Sequence, residues 1–220
     1  MPLVATGDLA AARRVAARNV RILAEAVRLG HRIVCTEPAA VTAITHDYPL
    51  LVEDDDMVRV VAATCDAATY LWELHRDGKL RLDFDPLPAR VLYHSPCHVR
   101  VRAVTSPSEH LLRLVPALRL DAAERGCSGM AGTWGLHHAH HRTSLRIGRG
   151  LVAAMRDADV DLGATECSAC RLQMEQGTTR SAVHPLKLLA RAWRLLPGPH
   201  GLDGLLTARS GRLTTSRCDG

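Results

Sequence analysis

Apolar residues recur at helical spacing from Leu9 to Leu29, with Val15, Ile22, Leu23, Ala26 and Val27 on the rhythm, which predicts an amphipathic helix closed by Gly30. The run His31–Thr36 reads as a short strand, and Glu37–Thr45 as a short helix stopped near Tyr48-Pro49. Acidic residues Glu53–Asp56 precede a second long helix, Met57–Arg76, ended by Asp77-Gly78. A proline-rich connector at Asp85–Pro88 then leads into a strand, Arg90–His94, followed at once by Ser95-Pro96-Cys97. Beyond it the pattern predicts a helix at Ser108–Val115, a strand at Ala117–Leu120 and a glycine-rich turn at Gly126–Gly135. A long helix at Gly135–Arg156 and a strand at Val160–Thr165 come next. Cys167 and Cys170 open another helix, and His184-Pro185 opens a last one, Leu186–Leu196. From Pro197 onward Gly, Arg, Ser and Thr dominate and the rhythm is lost, so a flexible tail is expected.

Strands alternating with helices predict an α/β fold with mostly parallel strands, in which sites gather at the C-terminal ends of the strands. Three cysteine-bearing loops each follow a predicted strand, so Cys97, Cys127 and Cys167 are expected at one sheet edge. With 3% aromatic residues the core must rest on Leu, Val, Ile and Ala. The formal charge of +5 is spread along the chain without interleaved aromatics, which argues against nucleic acid and for an acidic protein partner or an anionic membrane surface. No apolar run is long enough to span a bilayer and no secretory signal is visible, so a cytoplasmic location is expected. In such a reducing compartment the seven cysteines serve metals or chemistry more readily than disulfides.

Cys167-Ser168-Ala169-Cys170 is a CxxC pair at a helix start, where the helix N-terminus favours thiolate. Alone it is compatible with a redox dithiol, half a zinc site or half an iron–sulfur site. Cys97 and Cys127 supply two further sulfurs, and four thiolates suit zinc or iron–sulfur. The small residues around Cys127, with Gly126, Gly129 and Gly132, let backbone N–H groups approach a bulky sulfur-rich group, which favours a cluster over an ion. Cys35 and Cys65 read as core thiols on a strand and a helix, and Cys218 as incidental. His137, His138, His140 and His141 read as a polar helix face, Trp134 as core, and Glu166 and Gln173 as helix-end and surface residues. His94 and His98 flank Cys97, where His98 is a candidate donor toward a cluster sulfur. The run Gly126, Gly129, Gly132, Gly135 lacks the strand–helix context of a phosphate cradle.

Three segments carry a family resemblance: His94-Ser-Pro-Cys97-His98, Gly126-Cys-Ser-Gly-Met-Ala-Gly-Thr-Trp-Gly135 and Thr165-Glu-Cys-Ser-Ala-Cys170. Over about Arg90–Leu196 the chain resembles the cysteine-rich "CCG" domain found in heterodisulfide reductase and in the iron–sulfur subunits of glycolate oxidase and anaerobic glycerol-3-phosphate dehydrogenase. It is also similar to the cluster-binding regions attached to FAD-linked oxidases. The resemblance implies two Rossmann-like halves from a duplication. The first, residues 1–84, is incomplete, because Cys35-Thr-Glu-Pro-Ala-Ala40 stands where a CxxC belongs. The second, 85–196, is the cluster-binding domain, and 197–220 is the tail. It implies a [4Fe–4S] cluster on Cys97, Cys127, Cys167 and Cys170, with Ser128, His98, Gly126 and Gly129 around it.

Ser128 replaces the second Cys of the family's Cys-Cys-Gly, so the five-sulfur non-cubane form gives way to an ordinary cubane as the simpler expectation. Ser128 is left as a weak oxygen ligand or a hydrogen-bond donor to sulfur. The function implied is relay of electrons from an FAD-containing dehydrogenase of 2-hydroxy acids or glycerol 3-phosphate to a further acceptor. That acceptor is quinone-reactive or membrane-associated, which would bring the chain to the inner face of the membrane. A zinc-stabilised, non-redox interaction module and a catalytic component of the heterodisulfide reductase type are the alternatives.

Overall fold

Asp8 starts the first long helix by accepting the Ala11 N–H at 3.0 Å, and the helix runs Leu9–Arg28. Its buried positions, Ala12, Ala16, Val20 and Ala24, return every four residues, and Gly30 ends the turn at a left-handed φ of +85°. The computed structural model describes residues 2–102, 106–122, 125–157, 159–176 and 178–196. The tail expected from Pro197 lies outside them.

The first sheet has two parallel strands, β1 (Ile33–Cys35) and β2 (Thr64–Asp66), with Val34 opposite Cys65. β2 corrects the expectation of one helix over Met57–Arg76, and it places Cys65 on a strand. Two helices, Met57–Ala63 and Ala67–Arg76, flank it instead. The cause is local. The Asp66 carboxylate accepts the Thr69 N–H at 2.8 Å and the Thr69 hydroxyl at 2.7 Å, so a new helix begins there. Upstream, helical structure also runs past its expected stop. Pro38–Thr42 continues through a π turn, Ala43–Asp47, into Tyr48–Leu51. Pro49 falls in the first turn of that last segment, where its missing N–H costs nothing.

The second sheet is parallel throughout. Its strands are β3 (Arg90–Tyr93), β4 (Arg119–Asp121), β5 (Leu162–Ala164) and β6 (Ala182–Val183), in the order β4-β3-β5-β6. Val91 lies opposite Leu120 on one side and Leu162 on the other. β6 has two residues, too few for a pattern to reveal. The single helix expected over Gly135–Arg156 is in three pieces: a 3₁₀ turn Trp134–Leu136, then His138–Ile147 and Arg149–Met155.

Helices cover both faces of this sheet, as parallel strands require. Val91, Tyr93, Leu162 and Ala164 pack with Leu111, Leu112, Leu188 and Leu189 on one side. Leu92 packs with Leu151, Met155 and Met174 on the other. Each such leucine, buried from water, stabilises by about 2 kcal/mol. The helix Ala67–Arg76 adds Ala68, Leu71 and Trp72 to the same core, which ties the first sheet to the second. Among the described residues no helix is long and apolar enough to cross a membrane.

Candidate functional site

β4, β3 and β5 are neighbours and parallel, so their C-terminal ends lie side by side. Each is followed by a cysteine. Past β3, Pro96 takes an extended ψ of 155° and starts the helix Cys97–Arg100, which leaves Cys97 exposed in its first turn. Past β4 comes a loop in which Gly126, Gly129, Ala131 and Gly132 all have positive φ, with Cys127 exposed. Past β5, Cys167 precedes the helix Ser168–Gln176, and Cys170 is buried in that helix's first turn.

The CxxC pair is electrostatically asymmetric. Cys170 hydrogen-bonds to Cys167, and the backbone N–H groups of Cys170 and Ala169 also point at the Cys167 sulfur, which lowers the Cys167 pKa toward thiolate. Cys170 moves the other way, held protonated by its bond to Cys167, by burial and by the charges of Cys167 and Cys97. Cys97 is thus within electrostatic reach of the pair. Cys127 is joined to it through its neighbour: the buried Ser128 hydroxyl donates to the Cys170 sulfur at 3.2 Å. The Gly129 N–H donates to the Cys127 sulfur at 3.3 Å. A serine hydroxyl and main-chain N–H groups aimed at sulfurs are the donors that a thiolate-bound group uses. Among the described residues, no three His, Cys, Asp or Glu side chains are arranged to hold a single metal ion.

The glycines of the loop have two different jobs. A Cβ on Gly129 would lie 2.2 Å from the Ser144 carbonyl oxygen, and one on Gly135 would lie 2.4 Å from the Ser144 hydroxyl. Their smallness lets the loop press onto the helix His138–Ile147. Gly126 and Gly132 face open space and supply only the left-handed turn. The His98 carbonyl accepts Arg102 Nε at 2.8 Å. Trp134 is not core: it is partly exposed and stacks on His140 at 4.3 Å.

Two residues read as surface in the sequence are buried. Glu166 is 7% exposed and Gln173 is fully buried. Glu166 precedes Cys167 in the chain; its Oε1 accepts the Tyr93 hydroxyl at 2.7 Å, and the Ser106 hydroxyl lies 2.5 Å from the same group. Burial pushes the Glu166 carboxyl up, against the opposing hydrogen bonds of Ser108 and Tyr93. Protonation therefore stabilises the fold below the ordinary carboxylate range of about 4.3, and that contribution is lost as pH climbs through the raised value. Glu166→Gln removes the cost of ionisation. Its melting temperature is expected to match wild type at acid pH and exceed it at neutral pH, as a thermal scan across pH would show.

The first sheet reaches the same edge. Just after β1, the Glu37 carboxylate accepts the Ser168 N–H at 3.0 Å and the Ser168 hydroxyl, capping the CxxC helix from another part of the chain. His184 Nδ1 accepts the Leu186 N–H at 3.1 Å, which fixes Nε2 as donor to the Thr36 carbonyl at 2.9 Å. Arg102 pairs with Asp66, the last residue of β2, at 3.0 Å. The sequence pattern held no sign of the contacts of Glu37 with Ser168, His184 with Thr36 and Arg102 with Asp66, because each joins residues far apart in the chain.

Residues 91–175 match the family of cysteine-rich domains, CCG. One subunit of the anaerobic glycerol-3-phosphate dehydrogenase of Escherichia coli K12 is 34% identical over 194 residues, covering 87% of this chain and 48% of that protein. The chain thus spans about half the length of that relative. One subunit of the CoM/CoB fumarate reductase of Methanothermobacter marburgensis is 24% identical over 86% of the chain and 36% of its own length. An uncharacterised iron–sulfur protein of Methanocaldococcus jannaschii is 28% identical over 100 residues, 45% of this chain and 20% of its own length. The matched segment takes in β3, β4, β5 and all three cysteine loops, so the likeness to the cysteine-rich domain (CCG) family falls on the elements that carry the candidate site.

Proposed function

We propose that the chain is the iron–sulfur component of a multi-subunit dehydrogenase or reductase and holds one [4Fe–4S] cluster on Cys97, Cys127, Cys167 and Cys170. The observation that carries this reading is the convergence of three cysteine loops at the ends of three adjacent parallel strands, with Ser128 and Gly129 donating to sulfur. The donor set fits: thiols with one member already driven toward thiolate, and hydrogen-bond donors around them. Bound there, the cluster would carry single electrons. Ser128, 3.2 Å from the Cys170 sulfur, serves as donor rather than fifth ligand, in keeping with a cubane. Residues 85–196 form the cluster-binding domain, and residues 1–84 form a partner half whose own site is lost.

Two of the relatives are named as members of dehydrogenase and reductase complexes, which supports a catalytic partner for this chain. We assign the electron donor to an FAD-containing partner and the acceptor to a quinone-reactive component at the membrane surface. Neither flavin nor nicotinamide fingerprints occur in this sequence, so substrate oxidation belongs to the partner. Purification without air tests the cofactor. The expected product is brown, contains about four iron and four acid-labile sulfide per chain, and gives an electron paramagnetic resonance signal on reduction. A colourless protein carrying zinc would overturn the reading.

A further inference from the structure

Gln173 lies one helical turn beyond Cys170 on the same helix, is fully buried, and has no hydrogen-bond partner at either Oε1 or Nε2. Leaving a buried amide unpaired is costly, so native proteins rarely tolerate it without a reason. The neighbourhood supplies one. A Cβ on Gly148, at the break between two helices, would lie 2.3 Å from the Ser128 carbonyl oxygen and 2.9 Å from Gln173 Nε2. The carboxamide donor and the Ser128 carbonyl acceptor therefore both border the space that a side chain at 148 would fill. Ser128 is already tethered by its side chain to the Cys170 sulfur at 3.2 Å, on Gln173's own helix. The next residue, Gly129, donates to the Cys127 sulfur.

We propose that Gln173 is a positioning residue that clamps the Cys127–Gly129 loop onto the CxxC helix when the site is loaded, its Nε2 donating to the Ser128 carbonyl. The clamp rests on the iron–sulfur reading above. It explains why a fully buried position keeps an amide and why position 148 carries no side chain. Ser128 is then held twice, through its hydroxyl to Cys170 and through its carbonyl to Gln173. Cys127, which is exposed and stands alone on its loop, is thereby fixed in place. Gly148 is part of the device, because any larger residue would wedge the donor from the acceptor.

Gln173→Met keeps the volume and removes the hydrogen bonding. Its effects on loaded and metal-free protein are expected to have opposite signs. In the metal-free protein the unpaired amide is gone, so the melting temperature rises. In the loaded protein the loop is unclamped, so iron passes to a chelator about tenfold faster, the worth of one hydrogen bond. Hydrogen exchange at 127–130 also speeds up in the loaded form. An amide with a purely structural partner would lower stability in both forms, and that result overturns the clamp, as does wild-type iron release from Gln173→Met. Wild-type protein that binds no iron and sulfide would instead sink the iron–sulfur reading itself, so the two failures are distinguishable.

Discussion

Cys170→Ala is expected to leave the chain without bound iron or sulfide, whereas Cys35→Ala and Cys65→Ala keep the full complement. The difference follows from what each sulfur touches. Cys170 is buried in the first turn of the helix Ser168–Gln176, accepts the Ser128 hydroxyl at 3.2 Å, and hydrogen-bonds to Cys167. Removing it deletes one of the four proposed ligands, orphans the Ser128 hydroxyl and takes away the largest influence lowering the Cys167 pKa. The remaining three cysteines, on three separate loops, then lack the buried member of the set. Cys35 and Cys65 lie on β1 and β2, in the other sheet, and burial raises both of their pKa values, which disfavours thiolate. Because binding to the folded state stabilises it by mass action, the wild-type protein should melt higher loaded than metal-free. In Cys170→Ala that gap should vanish. Iron and sulfide counts with electron paramagnetic resonance on the three variants decide the matter; an undiminished signal in Cys170→Ala would remove this residue from the site.

The same residues show how far the sequence could be read. The alternation of strands and helices placed Cys97, Cys127 and Cys167 after strands. The parallel sheet bears that out, because register and strand order follow from short apolar runs that must be covered on both faces. Periodicity failed where a three-residue strand interrupted a helical rhythm. Val60 and Val61 suit either state, and only the Asp66 cap, three residues before Thr69, marks the break. The glycine-rich turn was legible as a turn, but Gly129 and Gly135 answer to Ser144, which lies on a different helix. Glu166 and Gln173 look polar and terminal in sequence. Their burial depends on β3, the loop after β4 and Gly148, none of which a local window contains. Glu37 and His184 were out of reach for the same reason, since each bonds a residue more than a hundred positions away.

Gly129→Ala is expected to be the most destabilising single methyl group that can be added near the site. Its φ of +90° lies in the region that residues with a Cβ avoid, at a cost of about 1–2 kcal/mol. The added Cβ would also sit 2.2 Å from the Ser144 carbonyl oxygen and 3.2 Å from the Gly148 nitrogen, both main-chain atoms that cannot rotate away as a side chain could. Overpacking of that kind costs a further 1–3 kcal/mol, roughly. A total of about 3 kcal/mol or more is a large share of the 5–15 kcal/mol or so that holds a typical domain together. Gly132→Ala separates the two contributions. Position 132 has a φ of +69° but nothing within 4 Å of its added Cβ, so only the backbone cost of about 1–2 kcal/mol applies. Urea unfolding of metal-free protein should therefore show a large loss for Gly129→Ala and a small one for Gly132→Ala. Equal losses would mean that the loop can lift off Ser144 without penalty. The packing that aims the Gly129 N–H at the Cys127 sulfur would then not be what fixes that loop.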